Sequence, residues 1–441
     1  MEYLWSKEIT PPIFSTLDGD KNTSVLVIGG GMVGILCAYM LHKKGVDCIL
    51  VEAEKIGNGT TKGTTAVLTA QHDILYKDMV NKWGTEKSRK YLHANLKAVK
   101  QFFDLSQNIQ CDFEIKASHI YSRNKNDAEI LKHEVDIVNK LGFSAEYVSQ
   151  SGLPFSIVGA ARYPGMAQFH PLKFLYGLAR ELNIYENTMV TRVANGVAYT
   201  DKGNIKADKI VVATHFPFIN RRGLYFVKLY QKRSFVLALE NGPNIMGTYV
   251  DYSKHGMYFR NYNNLLLVGG GDHRTGAPKG GFDSVEEYVK EYFPEYNIKY
   301  RWAAQDCISL DNVAYIGRYS PSLQDVFVAT GFNEWGMTTS MIAAEIISDM
   351  VVGKTNEYSD VFLPNRSVLS SQLLINLGET IYNYLIPTTK RCSHMGCALR
   401  WNGAEHTWDC ACHGSRFNEK GKLINNPAMK NVNGNLNNRK G

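Results

Sequence analysis

The chain has 441 residues, 44% of them hydrophobic, eight cysteines and a formal net charge of +7. That length and apolar content suit about two or three globular domains with buried cores and exclude a disordered or fibrous chain. The positive charge is thinly spread and no basic run is long enough for a nucleic-acid patch, so no nucleic-acid partner is expected.

The opening "MEYLWSKEITPPIF" has acidic residues and prolines where a secretory signal needs a basic start and an unbroken apolar core, so a cytoplasmic location is expected. The apolar stretch from Val25 to Met40 holds four glycines, which argues against a transmembrane segment. It reads instead as the start of a βαβ unit: a strand over Val25 to Ile28, a glycine turn, a helix, and a second strand ending at Glu52. Gly29, Gly31 and Gly34 make G-x-G-x-x-G at the turn. The first permits a tight turn, the second lets the backbone approach a pyrophosphate, and the third lets helix and strand pack closely. Glu52 stands where a carboxylate accepts hydrogen bonds from ribose hydroxyls. A glycine-rich turn without a ligand is the alternative.

Helical spacing follows over Ser88 to Phe103 and Asp127 to Leu141, the latter with an apolar stripe and Gly142 as its stop. Cys37 and Cys48 sit in apolar runs and read as core residues. A second strand-turn-helix signal spans Asp325 to Lys354, its strand ending at Gly331 and its helix running from about Met337 to near Gly353, with free amides in the first turn. A helical segment near Leu369 to Leu385 precedes "CSHMGC" and "CACHGS". There Cys392-x-His394 is followed, after fifteen intervening residues, by Cys410-x-x-His413. In a reducing compartment such a cluster indicates metal or redox chemistry, and two cysteines with two histidines suit a tetrahedral zinc ion or an iron–sulfur group. The asparagine-rich end reads as a frayed tail.

The first 355 residues resemble the FAD-dependent D-amino-acid oxidase superfamily, which includes glycine and sarcosine oxidases. The resemblance rests first on Gly29, Gly31, Gly34 and Glu52. Next comes "GNGTTKGTTA", with Thr60, Thr61, Thr64 and Thr65, like the loop that passes the pyrophosphate and reaches the flavin ring. In "ENTMVTRV" Val190 matches a position whose backbone meets adenine, and the "VVATHFP" strand follows. Last are "YIGR", with Gly317, and "ATGFNEWGMTTS", with Gly331, Gly336, Met337 and Thr338, like the segment that closes over ribitol and pyrimidine. The resemblance implies an α/β fold: a Rossmann-like FAD-binding domain, discontinuous over 21–105, 155–220 and 300–355, with a mostly antiparallel α+β substrate domain at 106–154 and 221–299. The implied chemistry is hydride removal from a carbon beside nitrogen, so the expected partner is an amine-like small molecule.

Amino-acid-specific relatives often carry an arginine for the substrate carboxylate in a strand where this chain reads "RWAAQDC", which puts Asp306 at that place. An anionic group there favours an ammonium; Arg301 or Arg260 is the alternative carboxylate partner. His72 and His273 are candidates for the flavin face or equally for structural histidines. Cys307 reads as a buried thiol in preference to a flavin attachment point.

"CSHMGC" and "CACHGS" resemble both halves of a Rieske [2Fe–2S] site. The resemblance implies Cys392 and Cys410 on one iron, His394 and His413 on the other, a disulfide between Cys397 and Cys412, and Ser415 as donor to a cluster sulfur. Zinc would leave Cys397, Cys412 and "HGS" unexplained. Phe417 stands where high-potential members place a tyrosine, so a moderate potential is expected. A linker and helix at 356–388 would lead to a small β-rich module at 389–430 that leans on the flavoprotein for burial, with 431–441 as a flexible tail. Together these parts imply an FAD-dependent oxidoreductase that passes electrons from flavin to cluster and on to an unidentified acceptor. A reductase with electrons flowing from an unidentified donor through the cluster to flavin, and a non-enzymatic redox sensor, are the alternatives.

Overall fold

The computed structural model describes residues 1–219, 222–277, 280–367 and 369–432; the stretch 433–441 lies outside the described residues. Its first sheet grows from "KNTSVLVI", the strand Lys21–Ile28, whose last four residues are all buried. Burial on both faces is what a central parallel strand requires. Asn204–Val212 pairs with it on one side and Cys48–Val51 on the other, both parallel. The path continues outward through Leu323–Thr330 to Tyr315–Ser320 and, at the far end, to Ile184–Tyr185; the hairpin Val190–Ala194 and Val197–Thr200 extends strand Asn204–Val212. Helices Met32–Lys43 and Gly336–Val351 pack on each other. The second is buried along most of its circumference, as a helix apolar on nearly every side must be.

The second sheet has nine strands. In order they are Ile298–Ser309, Leu229–Glu240, Leu265–Arg274, Tyr258–Tyr262, Thr248–Asp251, Glu114–Ser122, Gly159–Gln168 and Val67–Leu68, with Glu146–Val148 beside Gly159–Gln168. Every pairing is antiparallel except that of Thr248–Asp251 with Glu114–Ser122. Strands Gly159–Gln168 and Ile298–Ser309, which the resemblance assigned to flavin-binding segments, take their partners here, the first from Glu114–Ser122 and the second from Leu229–Glu240. The helix read over 88–103 is part of Tyr76–Ser106, interrupted at Gly84 where φ is 81°. The next helix is Ala128–Lys140.

A third, four-stranded sheet comprises Leu399–Asn402, Thr407–Cys410, Arg416–Asn418 and Leu423–Asn425. Its core gathers Leu399, Trp408, Phe417 and Ala428 around four cysteines. So small a core cannot bury the loops that flank it, and these press on one end of the second sheet. Among the described residues, no helix is long and apolar enough to cross a membrane.

Candidate functional site: a flavin cradle, an acidic cavity and a docked cluster module

The glycine turn joins strand Lys21–Ile28 to helix Met32–Lys43, and each glycine meets a different constraint. A Cβ on Gly29 would lie 2.5 Å from the Ala213 carbonyl oxygen, and one on Gly34 only 1.8 Å from that of Gly29. At Gly31 a Cβ would meet nothing nearer than Thr61 Oγ1 at 3.5 Å, so the space above the helix start is a cradle that a side chain would fill. Thr61 Oγ1 accepts a hydrogen bond from Met32 N (3.1 Å), which brings the 57–66 loop to the helix N-terminus. Glu52 accepts from Gly30 N (2.7 Å) on one oxygen and Glu54 N (2.9 Å) on the other, and burial raises its pKa. Each oxygen retains a lone pair for a sugar hydroxyl. Val190 is buried nearby, since Thr188 N donates to the Glu52 carbonyl at 2.9 Å. These features fit the diphosphate and ribose of a dinucleotide.

The same loop runs on into a cavity of about 450 Å³ lined by strands of the second sheet and by the start of helix Gly336–Val351. Thr60 Oγ1 donates to the Gln305 carbonyl (3.1 Å), while the Thr64 carbonyl accepts from Trp5 Nε1 at 2.7 Å and that of Gly63 from Trp302 Nε1 at 2.9 Å. The indoles thus pin the loop where it borders the cavity. Thr64, Thr65 and Met337 line it, as do Asp306 and Arg260. Thr338 donates to the Thr69 carbonyl at 3.3 Å, just inside the helix that Gly336 begins. Gly331 packs on Leu229, Ser309 and Tyr315, and Gly317 lies apart on the edge strand against Pro364.

Six carboxylates line the cavity, from Asp73, Asp78, Asp251, Asp272, Asp306 and Glu334, against the three bases Lys232, Lys254 and Arg260. This excess of acid sits inside a chain of net charge +7. Lys232 Nζ lies 3.3 Å from Glu334, whose carboxylate raises its pKa. Burial, then the neighbouring Glu334, pushes Asp272 and Asp306 up to about 7. Oδ1 of Asp272 is buried without a hydrogen-bond partner among the described residues. Arg260 is 1% exposed; its Nη1 donates to the Thr65 and Ala66 carbonyls, its Nη2 has no partner among the described residues, and burial pushes its pKa down to about 9.

The histidine candidates occupy other positions. His72 is buried with Nδ1 2.7 Å from Tyr91 Oη and Nε2 2.9 Å from the Thr69 carbonyl, and its ring stacks on Trp335. With both nitrogens engaged and its pKa pushed down to about 3 by burial, it is a neutral structural histidine behind the cavity wall. His273 stacks on Phe235 and is not among the cavity-lining residues; Arg301 is on the outer surface, paired with Glu286 at 3.2 Å. Lys232, Asp73, Asp272 and Glu334 escaped the sequence reading. The one local signal was the charged pair Lys232 and Arg233 ahead of the apolar run 235–239 in strand Leu229–Glu240.

In the small module the loops 392–397 and 410–415 face each other, joined by the Cys397–Cys412 disulfide with Cα atoms 6.7 Å apart. The sulfurs of Cys397, Cys410 and Cys412 lie within 4.8 Å of one another, the sole such donor group among the described residues. Cys392, His394, Cys410 and His413 therefore do not converge on one point as a single zinc ion requires. The Cys410 sulfur draws the Cys392 thiol down to about 7, with the Ser415 side chain also bonded to it. His394 and His413 set their rings 5.0 Å apart, and both ring nitrogens of His413 are buried without a hydrogen-bond partner among the described residues. Two sulfurs on one side and two imidazoles on the other fit a two-iron cluster.

The histidine edge faces the large sheets. His413 lies against Phe216 and Phe226, with ring centroids 6.3 and 6.2 Å away. Gln231 Nε2 donates to the carbonyls of His413 (2.6 Å) and Asn426 (3.1 Å), and Gln305 Nε2 to Gly414 (2.9 Å) and to Gln231 Oε1 (2.6 Å). Arg274 donates to the carbonyls of Ala411 (3.0 Å) and Cys412 (3.1 Å). Arg233 from the sheet and Arg416 from the module share the buried Glu405 carboxylate.

Fold and sites define a flavoprotein oxidoreductase with a built-in iron–sulfur centre. The FAD dependent oxidoreductase family (DAO) matches residues 24–350 and the Rieske [2Fe-2S] domain residues 349–435. The chain belongs to the DAO family of FAD-dependent oxidoreductases and carries a C-terminal Rieske [2Fe–2S] domain. It is 31% identical over 493 aligned positions to YhfW of Bacillus subtilis (strain 168), named as a Rieske 2Fe-2S iron-sulfur protein, across 97% of this chain and 96% of that one. Identity to the gamma-glutamylputrescine oxidoreductase of Escherichia coli (strain K12) is 23% over 382 positions, covering 78% and 87% of the two chains. Among solved structures, L-proline dehydrogenase from P. horikoshii superposes with a TM-score of 0.67 at 18% identity, over 79% of this chain and 98% of that one.

Proposed function

We propose that this FAD-dependent oxidoreductase dehydrogenates the C–N bond of a cationic, amine-bearing small molecule and delivers the electrons through its cluster to a separate acceptor. The observation that carries this reading is the acidic cavity beside the loop 57–66, set in a basic chain. Bound FAD accepts a hydride from carbon, and a Rieske cluster carries electrons singly.

The protein's own groups do the rest. The carboxylates concentrate a cation in the cavity and orient it. An amine must shed its ammonium proton before its carbon can lose hydride, and Asp306, with a pKa near 7, is suited to take that proton. Arg260 Nη2 offers a donor to an electron-rich group on the same molecule. Trp5 and Trp302 hold the loop still and help keep water out. Gln231 and Gln305 hold the His413 loop against the sheet through which the two centres communicate. Gamma-glutamylputrescine and L-proline, for which two of the relatives are named, are compounds that contain amine nitrogen, which supports the reaction class. Free thiols at Cys37, Cys48, Cys111 and Cys307 are in keeping with a cytoplasmic location.

Anaerobic stopped-flow mixing of the holoprotein with diamines and amino acids tests this. Loss of flavin absorbance without added reductant, followed by the electron paramagnetic resonance signal of a reduced Rieske cluster, is the expected result. Flavin that no amine bleaches, while a reductant acting at the cluster reduces it, would overturn the reading in favour of the opposite flow.

A further inference from the structure

Helix Ser371–Leu385 is built inside out. Its buried residues are Asn376 and Asn383, seven positions and about two turns apart on one stripe. Arg274 Nη1 donates to Asn376 Oδ1 and Arg400 Nη2 to Asn383 Oδ1, each at 2.9 Å. The apolar side chains take the outside: Leu374 is 71% exposed, Ile381 60% and Leu385 72%, with Ile375, Leu377 and Tyr382 among them. A helix on a water-facing surface ordinarily turns charge outward, yet Glu379 is the one charged residue here. The patch continues onto Met395, in the first cluster loop, whose Gly396 lies beside Tyr384. An exposed apolar face of this extent marks an interaction surface.

The charges around it identify the partner. Between 371 and 402 the chain carries Lys390, Arg391 and Arg400 against Glu379 alone. The guanidinium of Arg391 bonds to the carbonyls of Tyr384, Ile386 and Gly396 and pairs with no carboxylate among the described residues, while that of Arg400 turns inward to Gly276 and Asn383. Lys430 is exposed beside the same loop, where its carbonyl accepts from Ser393 Oγ at 2.6 Å. We propose that this face docks on the surface of an anionic lipid bilayer, with the helix lying in the interface. Leucine and isoleucine enter the acyl boundary, Tyr382 and Tyr384 sit at headgroup depth, and the basic rim meets the lipid phosphates. Docked in this way, the first cluster loop stands at the membrane.

Flotation of the full-length holoprotein with vesicles tests the proposal. Binding is expected to vesicles of phosphatidylglycerol and phosphatidylethanolamine, and to be roughly tenfold weaker to phosphatidylcholine alone or in high salt. Leu374→Glu with Ile381→Glu changes exposed positions, and is expected to keep the flavin and cluster spectra while binding at least roughly tenfold less. Lys430→Glu with Leu385→Glu is a second variant with the same expectation. Absence of wild-type binding to the anionic vesicles, or undiminished binding by both variants, overturns the proposal. So does a dimer that the substitutions dissociate while no form floats, since a second copy then covers the face.

Discussion

Gln231 Nε2 donates to the His413 carbonyl across 2.6 Å, tying the second cluster loop to a strand of the flavoprotein sheet. The same amide serves Asn426, and its oxygen accepts from Gln305, so one side chain closes three hydrogen bonds in a buried seam. Gln231→Leu keeps the shape and leaves those partners unsatisfied, at about 1–3 kcal/mol for each buried group. The expected outcome is slower flavin-to-cluster transfer in single-turnover absorbance traces, with unchanged iron content.

Glu405 anchors the other side of this seam. Its side chain is fully buried between Arg233 and Arg416, themselves 3% and 4% exposed. Removing one partner of a buried charged set costs about 3–5 kcal/mol, because the remaining charges lose their compensation. Glu405→Gln is expected to lower the denaturant midpoint by a corresponding amount, and adding Arg233→Met to recover part of the loss.

The cavity carboxylates give a pH dependence whose sign can be worked out. Asp272 and Asp306 are raised to about 7 in the folded protein from ordinary values near 4. The folded state therefore holds more protons than the unfolded one between about pH 4 and 7, and the stability these groups contribute is lost as pH rises through the folded value. A cation in the cavity favours the charged carboxylates and offsets the loss. A diamine is expected to raise the melting temperature more at pH 8 than at pH 6, and Asp306→Asn to flatten that difference and raise KM roughly tenfold.

Two glycines three positions apart are expected to respond differently. Gly34→Ala puts a methyl 1.8 Å from the Gly29 carbonyl oxygen and forces helix and strand apart. Gly31→Ala meets no atom closer than 3.5 Å and is expected to fold while occupying the diphosphate cradle. Thermal melting separates the first effect, and flavin fluorescence released on dilution the second.

Ser415 is buried and its side chain lowers the Cys392 pKa; with a cluster held by Cys392, its hydroxyl would stabilise the more negative, reduced state. Ser415→Ala is expected to lower the midpoint potential by about 60–130 mV, the one-electron equivalent of roughly 1.5–3 kcal/mol, in a potentiometric titration followed by paramagnetic resonance.

Both cofactor classes were legible in the sequence because their signals are short. Gly29 to Glu52 is one βαβ unit, and Cys392 to His413 is two loops joined by one hairpin, so local backbone geometry carries each pattern. Asp306 could be flagged from its place before "YIGR", but its companions could not. Asp73, Lys232, Asp272 and Glu334 come from separate segments that meet only when the second sheet pairs. His72 and His273 show the opposite limit, since composition cannot say whether a histidine's nitrogens are already engaged.

The sequence by itself determined what this protein carries: a dinucleotide turn and a paired Cys/His cluster motif, each encoded by spacing within a contiguous stretch. Only the tertiary structure decided the charge of the cavity, the burial of the cluster's histidine edge, and which face of helix Ser371–Leu385 turns outward. Those properties depend on which segments pack together, and side chains hundreds of residues apart acquire a shared environment only through the pairing of sheets.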